Sequence, residues 1–204
     1  MEWTLSHDHP DDRGNRRYFT LASSPTENTI RLGVKFYKNG STYKNALLKM
    51  EGATKIVAAQ LAGDFVLPKD AKKKLVFVAG GVGITPFRSM LKYLTDKNEP
   101  RDIIMFYSNR KADEIVYKDV IEDAQRKLGI KTIYTLTDHN HEQNWKGQEG
   151  RINAAMIMKH VIDYKDRLFY ISGPQTMVAS TEVELKSIGV KDSHIIKDFF
   201  PGLV

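Results

Sequence analysis

Apolar residues recur along this chain with two different periods, and the change from one to the other divides it. From Thr29 to Tyr37, Ile30, Leu32, Val34 and Phe36 alternate with Arg31, Gly33, Lys35 and Tyr37. A period of two predicts a half-buried antiparallel strand. Met1–Leu5, Arg17–Leu21 and Lys55–Leu61 read as further short strands, with Ser23-Ser24-Pro25 and Asn39-Gly40 as the breaks between elements and Thr42–Met50 as one short helix. Short strands separated by turns predict a small antiparallel barrel or sheet. Lys69 to Lys74 is polar and lysine-rich, and reads as a linker.

From Leu75 the grammar changes. Apolar runs at Leu75–Ala79, Ile103–Tyr107, Thr132–Leu136, Leu168–Ile171 and His194–Ile196 alternate with helical patterns at Pro86–Thr95, Ile115–Lys127, Ala154–Val161 and Thr176–Ile188. This predicts a five-stranded parallel sheet covered by helices on both faces, with ligands at the carboxyl ends of the strands. The expected division is therefore residues 1–72, a partial antiparallel barrel, and residues 73–204, a Rossmann-like nucleotide-binding unit.

The first strand of that second unit runs into Gly80-Gly81-Val82-Gly83, and then Ile84, Phe87, Met90, Leu91 and Leu94 fall at helical spacing. Pro86 suits the first helical turn, where a backbone N–H has no partner in any case. Such a turn aims free N–H groups and the positive end of a helix dipole at one spot, which favours a phosphate. A Walker-type loop needs Lys-Ser or Lys-Thr after its second glycine, and Ile84-Thr85 does not supply it. The turn points instead to a dinucleotide.

Composition narrows the field further. The 204 residues are 41% hydrophobic, enough for a packed core, and contain no cysteine. Disulfides, a cysteine-ligated iron–sulfur cluster and a cysteine nucleophile within the chain are thereby excluded. Lys and Arg number 31 against 25 Asp and Glu, a net charge of +6. No dense basic tract with interleaved aromatics accompanies that excess, so it fits phosphorylated cofactors or an acidic partner better than nucleic acid. No apolar run reaches the roughly 18 residues needed to span a bilayer. His7, His9, Asp11 and Asp12 lie on a polar, proline-containing loop that reads as solvated, and no metal site is expected.

Four stretches now occur in one order: Arg17-Tyr18-Phe19-Thr20, Gly80 to Pro86, Ser172-Gly173-Pro174, and Asp198-Phe199-Phe200-Pro201-Gly202. Together they resemble the ferredoxin–NADP⁺ reductase family of flavoenzymes, over nearly the whole chain. The resemblance implies FAD in the first unit and NAD(P)H in the second. Arg17, Phe19 and Thr20 match the strand that holds the flavin, with Phe19 in place of the usual tyrosine. Lys35 and Tyr37 fall near the adenylate half, and Gly40, Ser41 and Thr42 resemble a second pyrophosphate contact. Gly81, Val82, Gly83, Ile84, Thr85 and Pro86 match the pyridine-nucleotide loop, with Val82 where many members place threonine. Ser172 replaces the cysteine of Cys-Gly-Pro before Gly173 and Pro174. Phe200 is the implied ring cover, with Asp198 near the ring edge; Thr20, Ser172 and Asp198 are the residues implied nearest the chemistry.

Nucleotide choice is expected at two strand ends. Ser108-Asn109-Arg110 suits a 2′-phosphate, whereas Thr137-Asp138 places a carboxylate that repels one and accepts a bond from a free ribose hydroxyl. The second position matches the family's specificity site better and favours NADH. The expected activity is hydride transfer between NAD(P)H and flavin, with electrons passed to an unidentified acceptor. The rival reading is a non-catalytic nucleotide-binding or assembly module of a larger redox complex. The family's flavin barrel has about six strands and this chain supplies its latter portion. The lack of cysteine and of an apolar span fits a cytoplasmic location, and the partial barrel adds the cytoplasmic face of a membrane where a longer parent carries an embedded part.

Overall fold

The computed structural model describes residues 1–138 and 144–200. Its first sheet has three short antiparallel strands: β1 (Glu2–Thr4), β2 (Arg16–Tyr18) and, after helix α1 (Thr42–Leu48), β3 (Val57–Ala59). β1 is central, pairing Trp3 with Arg17 on one side and with Ala58 on the other. Ser41 caps α1, its side chain accepting the Lys44 amide at 3.3 Å. Tyr43 on α1 is fully buried and donates its hydroxyl to the Trp3 carbonyl at 3.0 Å, which fixes the helix against the sheet.

The remaining elements are β4 (Leu75–Gly80), α2 (Ile84–Asp96), β5 (Ile103–Asn109), α3 (Lys118–Leu128), β6 (Lys131–Leu136), β7 (Gln148–Glu149), α4 (Ala154–His160), β8 (Leu168–Pro174), α5 (Gln175–Ser187) and β9 (Ile195–Phe200). The strands form one sheet in the order β7-β6-β5-β4-β8-β9, and every pairing is parallel. Every residue of β4 is buried, as a strand covered on both faces must be. Its side chains divide by the strand's period of two. Leu75, Phe77 and Ala79 join Phe87, Leu91 and Leu94 of α2 in one core. Val76 and Val78 join Phe169, Ile171, Ile157 and Leu185 in the other.

Two expectations are corrected. The alternating segment Thr29–Tyr37 forms no strand and makes only an isolated bridge, Leu21 to Leu32. Alternation shows which residues a strand would bury, but a ladder needs a neighbouring backbone. Here Ile30, Phe36 and Tyr37 are exposed, and Gly33 lies against Thr85 instead. The parallel sheet has six strands rather than five. The extra strand β7 is two residues long, with no apolar pattern to announce it. Gly150 holds it in place, donating its amide to Leu136 at 2.8 Å and accepting from the Thr135 hydroxyl at 2.7 Å.

The two sheets are joined through specific side chains. Arg88 on α2 is buried and forks onto Glu27; its Nη2 donates at 2.8 Å, its Nη1 donates to the other carboxylate oxygen, and Nη1 also reaches the Ala22 carbonyl at 3.0 Å. Phe65 packs edge-on against Phe87 and Tyr170, whose hydroxyl donates to the Val66 carbonyl at 2.9 Å. No helix of the described residues is long and apolar enough to cross a membrane.

Candidate nucleotide and flavin site

β4 is the switch point of the parallel sheet: β5 and β6 follow on one side of it, β8 and β9 on the other. A crevice opens at the carboxyl ends of strands at such a point, and it is the usual place for a ligand. The Gly81–Gly83 turn stands there as a single 3-10 turn that continues directly into α2. Its glycines serve different ends. Gly81 has φ +52°, in the left-handed region that favours glycine, and a Cβ there would meet nothing within 4 Å. Gly83 faces the opposite situation, because its Cβ would lie 2.1 Å from the Ser172 carbonyl oxygen. Gly81 is thus open toward the crevice, whereas Gly83 lets the turn pack on β8.

Beside this turn lies a cleft of 450 Å³. Ten of the residues expected from the sequence line it. Arg17, Phe19 and Thr20 come from β2 and the segment after it, Lys35 and Tyr37 from the following extended stretch, Gly40 and Ser41 from the start of α1, Val82 and Thr85 from the turn and α2, and Phe200 from the end of β9. A second cleft of 440 Å³ shares Lys35, Val82 and Thr85 and adds Gly81, Ile84, Asn109, Glu114 and Tyr117. Lys35 stands in the common wall and pairs with Glu114 at 3.0 Å.

Arg17 is already engaged within the protein. Its Nη2 donates to Asp11 Oδ1 at 2.5 Å, and its Nη1 reaches the carbonyls of Arg13, Gly14 and Arg16 at 3.0, 2.9 and 2.6 Å. Its Nε is buried without a partner among the described residues, and the guanidinium lies 5.1 Å from the centre of the Tyr43 ring. Thr42 does not line the cleft; its hydroxyl accepts the Asp11 amide at 3.1 Å and ties the same loop to α1. Asp11, Arg13 and Lys44 also line the cleft, and no sequence motif marks them as binding residues. Lys44 sits on a helix face with no motif around it, and the Asp11–Arg17 pair spans a loop whose closure is invisible in local pattern.

Thr20 and Asp198 meet, the threonine hydroxyl donating to Asp198 Oδ2 at 3.4 Å. Burial raises the Asp198 carboxyl above its ordinary value, against the opposing effects of the Thr20 bond and the Met1 ammonium. Asp198 is the register partner of Ser172 across the β8–β9 ladder. Ser172 is fully buried and its hydroxyl has no hydrogen-bond partner among the described residues. Gly173 and Pro174 complete β8, with Gly173 packed against Gly80.

The strand-end residues come together at the edge of β5 and β6. Thr137 and Asp138 donate their amides to the carbonyls of Asn109 and Arg110, each at 3.0 Å. Arg110 Nε lies 3.6 Å from Asp138 Oδ2, and the Arg110 amide donates to Glu114 at 3.3 Å. Ser108 precedes them on β5, paired with Thr135. The two residues expected to favour opposite nucleotides therefore form one ion pair.

A sequence model described as the oxidoreductase NAD-binding domain matches residues 77–182, just over half of the chain. The chain belongs to this family. It is 29% identical to a flavohemoprotein of Bacillus cereus over 91% of this chain and 48% of that protein. It is 31% identical to a component of the Na(+)-translocating NADH-quinone reductase of Yersinia pestis, over 91% of this chain and 49% of that one. The chain thus spans about half the length of these relatives. Among solved structures, a cytochrome P450 reductase from Amycolatopsis superposes with a TM-score of 0.80 at 19% identity, covering 98% of this chain and 60% of that one. The ferredoxin-NADP+ reductase of Plasmodium falciparum gives 0.71 at 19%, covering 98% and 82%. These likenesses show the fold shared by ferredoxin-NADP+ reductases and their relatives.

Proposed function

We propose that this chain is an FAD-dependent oxidoreductase module that transfers hydride between NAD(P)H and flavin and hands electrons to a separate acceptor. The observation that carries the reading is convergence: residues from four distant stretches, ending with Phe200, line one cleft against the turn of an NAD-binding fold. We read residues 1–72 as the flavin side and 73–204 as the nucleotide side. The names of the relatives agree with both cofactors, and the quinone-reductase relative agrees with a larger, membrane-associated assembly as one setting for the acceptor.

The residues present suit such a cofactor. The cleft is rich in cations, the backbone at Gly81 is open on the crevice side, and the buried Arg17 Nε has unused donor capacity. A bound flavin supplies the redox chemistry, accepting a hydride and releasing electrons singly or in pairs. The protein's own contribution is placement. Arg17 orders the 11–16 loop that forms one wall. Val82, the Thr85 methyl and Phe200 supply apolar surface to the cleft walls. Asp198, with its raised carboxyl and its bond from Thr20, holds a proton to higher pH than an ordinary aspartate. Asp138 favours NADH over NADPH.

The test is spectroscopic. The purified chain incubated with FAD and freed of excess is expected to retain a flavin absorption spectrum, which bleaches anaerobically on adding NADH. Retention without bleaching would leave a binding module, and no retention would refute the flavin reading.

A further inference from the structure

At the pole of the parallel sheet opposite the crevice, the helices end and the strands begin. Lys72, Lys73 and Lys74 stand before β4, Lys131 starts β6, Lys159 lies in the last turn of α4, and Lys165 stands before β8. Lys74 is paired with Asp163 at 2.7 Å. Lys72, Lys73, Lys131, Lys159 and Lys165 are exposed and make no ion pair among the described residues. The acids between them are mostly matched already: Arg167 holds Asp102 at 2.7 Å and Asp163 at 2.6 Å, and Arg101 holds Glu99 at 2.6 Å. Asp70 and Asp166 stand exposed beside the five lysines. The lysines are neighbours in space. Lys72, Arg101 and Lys131 line one hollow of 460 Å³. Burial first, and then the charges of Lys131 and Lys159, hold the His160 imidazole below its ordinary value, so those two lysines flank it. In the turn between Lys159 and Lys165 lies Ile162, next to the Asp163 that Lys74 holds. It is 92% exposed, the highest value of any large apolar side chain among the described residues.

We propose that this pole docks on an anionic phospholipid surface, with Ile162 entering the headgroup boundary and the surrounding lysines meeting the lipid phosphates. A single exposed isoleucine is ordinary, and so is a solvated lysine. The juxtaposition is not: water offsets neither the exposed alkyl group nor the crowding of like charges, and an anionic bilayer surface offsets both. A nucleic acid would match the lysines but offers an isoleucine no comparable burial. The hollow beside Lys72 and Lys131 has room for a headgroup phosphate. Docked on this pole, the chain holds the carboxyl ends of its strands, and the clefts there, away from the lipid and open to water. The inference does not depend on which cofactors those clefts take.

The test is co-sedimentation of the chain with vesicles of phosphatidylcholine alone and of phosphatidylcholine with about one third phosphatidylglycerol, at low salt. The wild type should bind the anionic vesicles and not the neutral ones, and added salt should release it. Lys131→Gln with Lys159→Gln should lower the partition coefficient about tenfold or more, and Ile162→Ser about fivefold or more. Lys111→Gln with Lys118→Gln removes the same charge from two exposed lysines beyond the carboxyl end of β5, and should change it by less than about twofold. The chain has no cysteine, so Ile162→Cys and Lys118→Cys each take a single environment-sensitive fluorophore. Emission at position 162 should shift to the blue on anionic vesicles and become shielded from an aqueous quencher, while emission at 118 stays unchanged. No binding to anionic vesicles would overturn the proposal. So would an equal loss from the two lysine pairs, which marks attraction by net charge alone, or a label at 162 that stays in water. Binding of duplex DNA that depends on Lys131 and Lys159 but not on Ile162, with no vesicle binding, would replace lipid by nucleic acid.

Discussion

Glu27 offers a direct measure of what holds the two sheets together. Its carboxylate receives a fork from Arg88, accepts the Ser24 amide at 2.8 Å and approaches Arg31 at 3.7 Å, and its side chain is 13% exposed. The Arg88 bonds hold its pKa down from 4.5 to about 2, against the opposing effect of burial. At about 1.4 kcal/mol per tenfold change, that difference corresponds to about 3 kcal/mol of stability. The sign follows from the depressed value. The contribution is fully present above the unfolded value near 4.5 and is lost as pH falls through 4.5 toward 2. Glu27→Gln removes the titrating charge, so the variant should be about 2–3 kcal/mol less stable than the wild type at pH 7.

Other carboxylates in the chain titrate in the same range, including Asp163, which Arg167 and Lys74 hold at about 2. The informative quantity is therefore the difference between wild type and Glu27→Gln, followed by urea denaturation from pH 7 to pH 2.5 with tryptophan fluorescence as the probe. The gap should be constant above pH 5 and close as pH falls. A gap that stays constant across the whole range would show that Glu27 titrates alike in the folded and unfolded chains, and the argument from its pKa would fail. Arg88→Met should also destabilise at pH 7, by about 3–5 kcal/mol, because it leaves the largely buried Glu27 carboxylate with only Arg31 at 3.7 Å as a cation.

Two further outcomes test the glycine turn and the nucleotide preference. Gly83→Ala should lower the melting temperature more than Gly81→Ala, since its Cβ meets the Ser172 backbone at 2.1 Å while Gly81 incurs only the left-handed strain of about 1–2 kcal/mol; equal losses in thermal melts would contradict this. Asp138→Arg should raise kcat/KM for NADPH relative to NADH by about five- to thirtyfold, from a like-charge repulsion of about 1–2 kcal/mol in a screened setting. An unchanged ratio in steady-state assays with both nucleotides would place the ribose away from Asp138.

The second half of the chain was legible because its signals are local. A continuous apolar run, a glycine turn and a helical spacing are each contained within a few residues, and β4, the turn and α2 form as they predict. The first half was less legible for a physical reason. The strand expected at Thr29–Tyr37 depended on a neighbour that the pattern itself cannot supply, and β7 is too short to have a pattern. The same distinction runs through the site. The candidate residues embedded in motifs, such as Thr20, Val82 and Phe200, could be named from sequence and do line the cleft. Lys44, Glu114 and the Arg88–Glu27 fork acquire their meaning from partners 9 to 79 positions away or on another element, as Lys44 does from Lys35 and Lys35 from Glu114.

The strand ends of β5 and β6 show why naming residues is not the same as assigning their effects. Read separately, Arg110 argues for a 2′-phosphate and Asp138 argues against one. In the fold they are 3.6 Å apart, with Arg110 73% exposed, so neither acts as an isolated charge. A 2′-phosphate must draw Arg110 away from Asp138, and a free ribose hydroxyl must share Asp138 with Arg110. Exposed pairs of this kind are worth only about 0–1 kcal/mol, so either rearrangement is inexpensive. On the proposed reading, discrimination is set by what remains fixed, the Asp138 backbone bond to Arg110 that holds the carboxylate at the strand end, and by the freedom of the long arginine side chain. The proposed preference for NADH rests on the shorter, better-anchored group of the two.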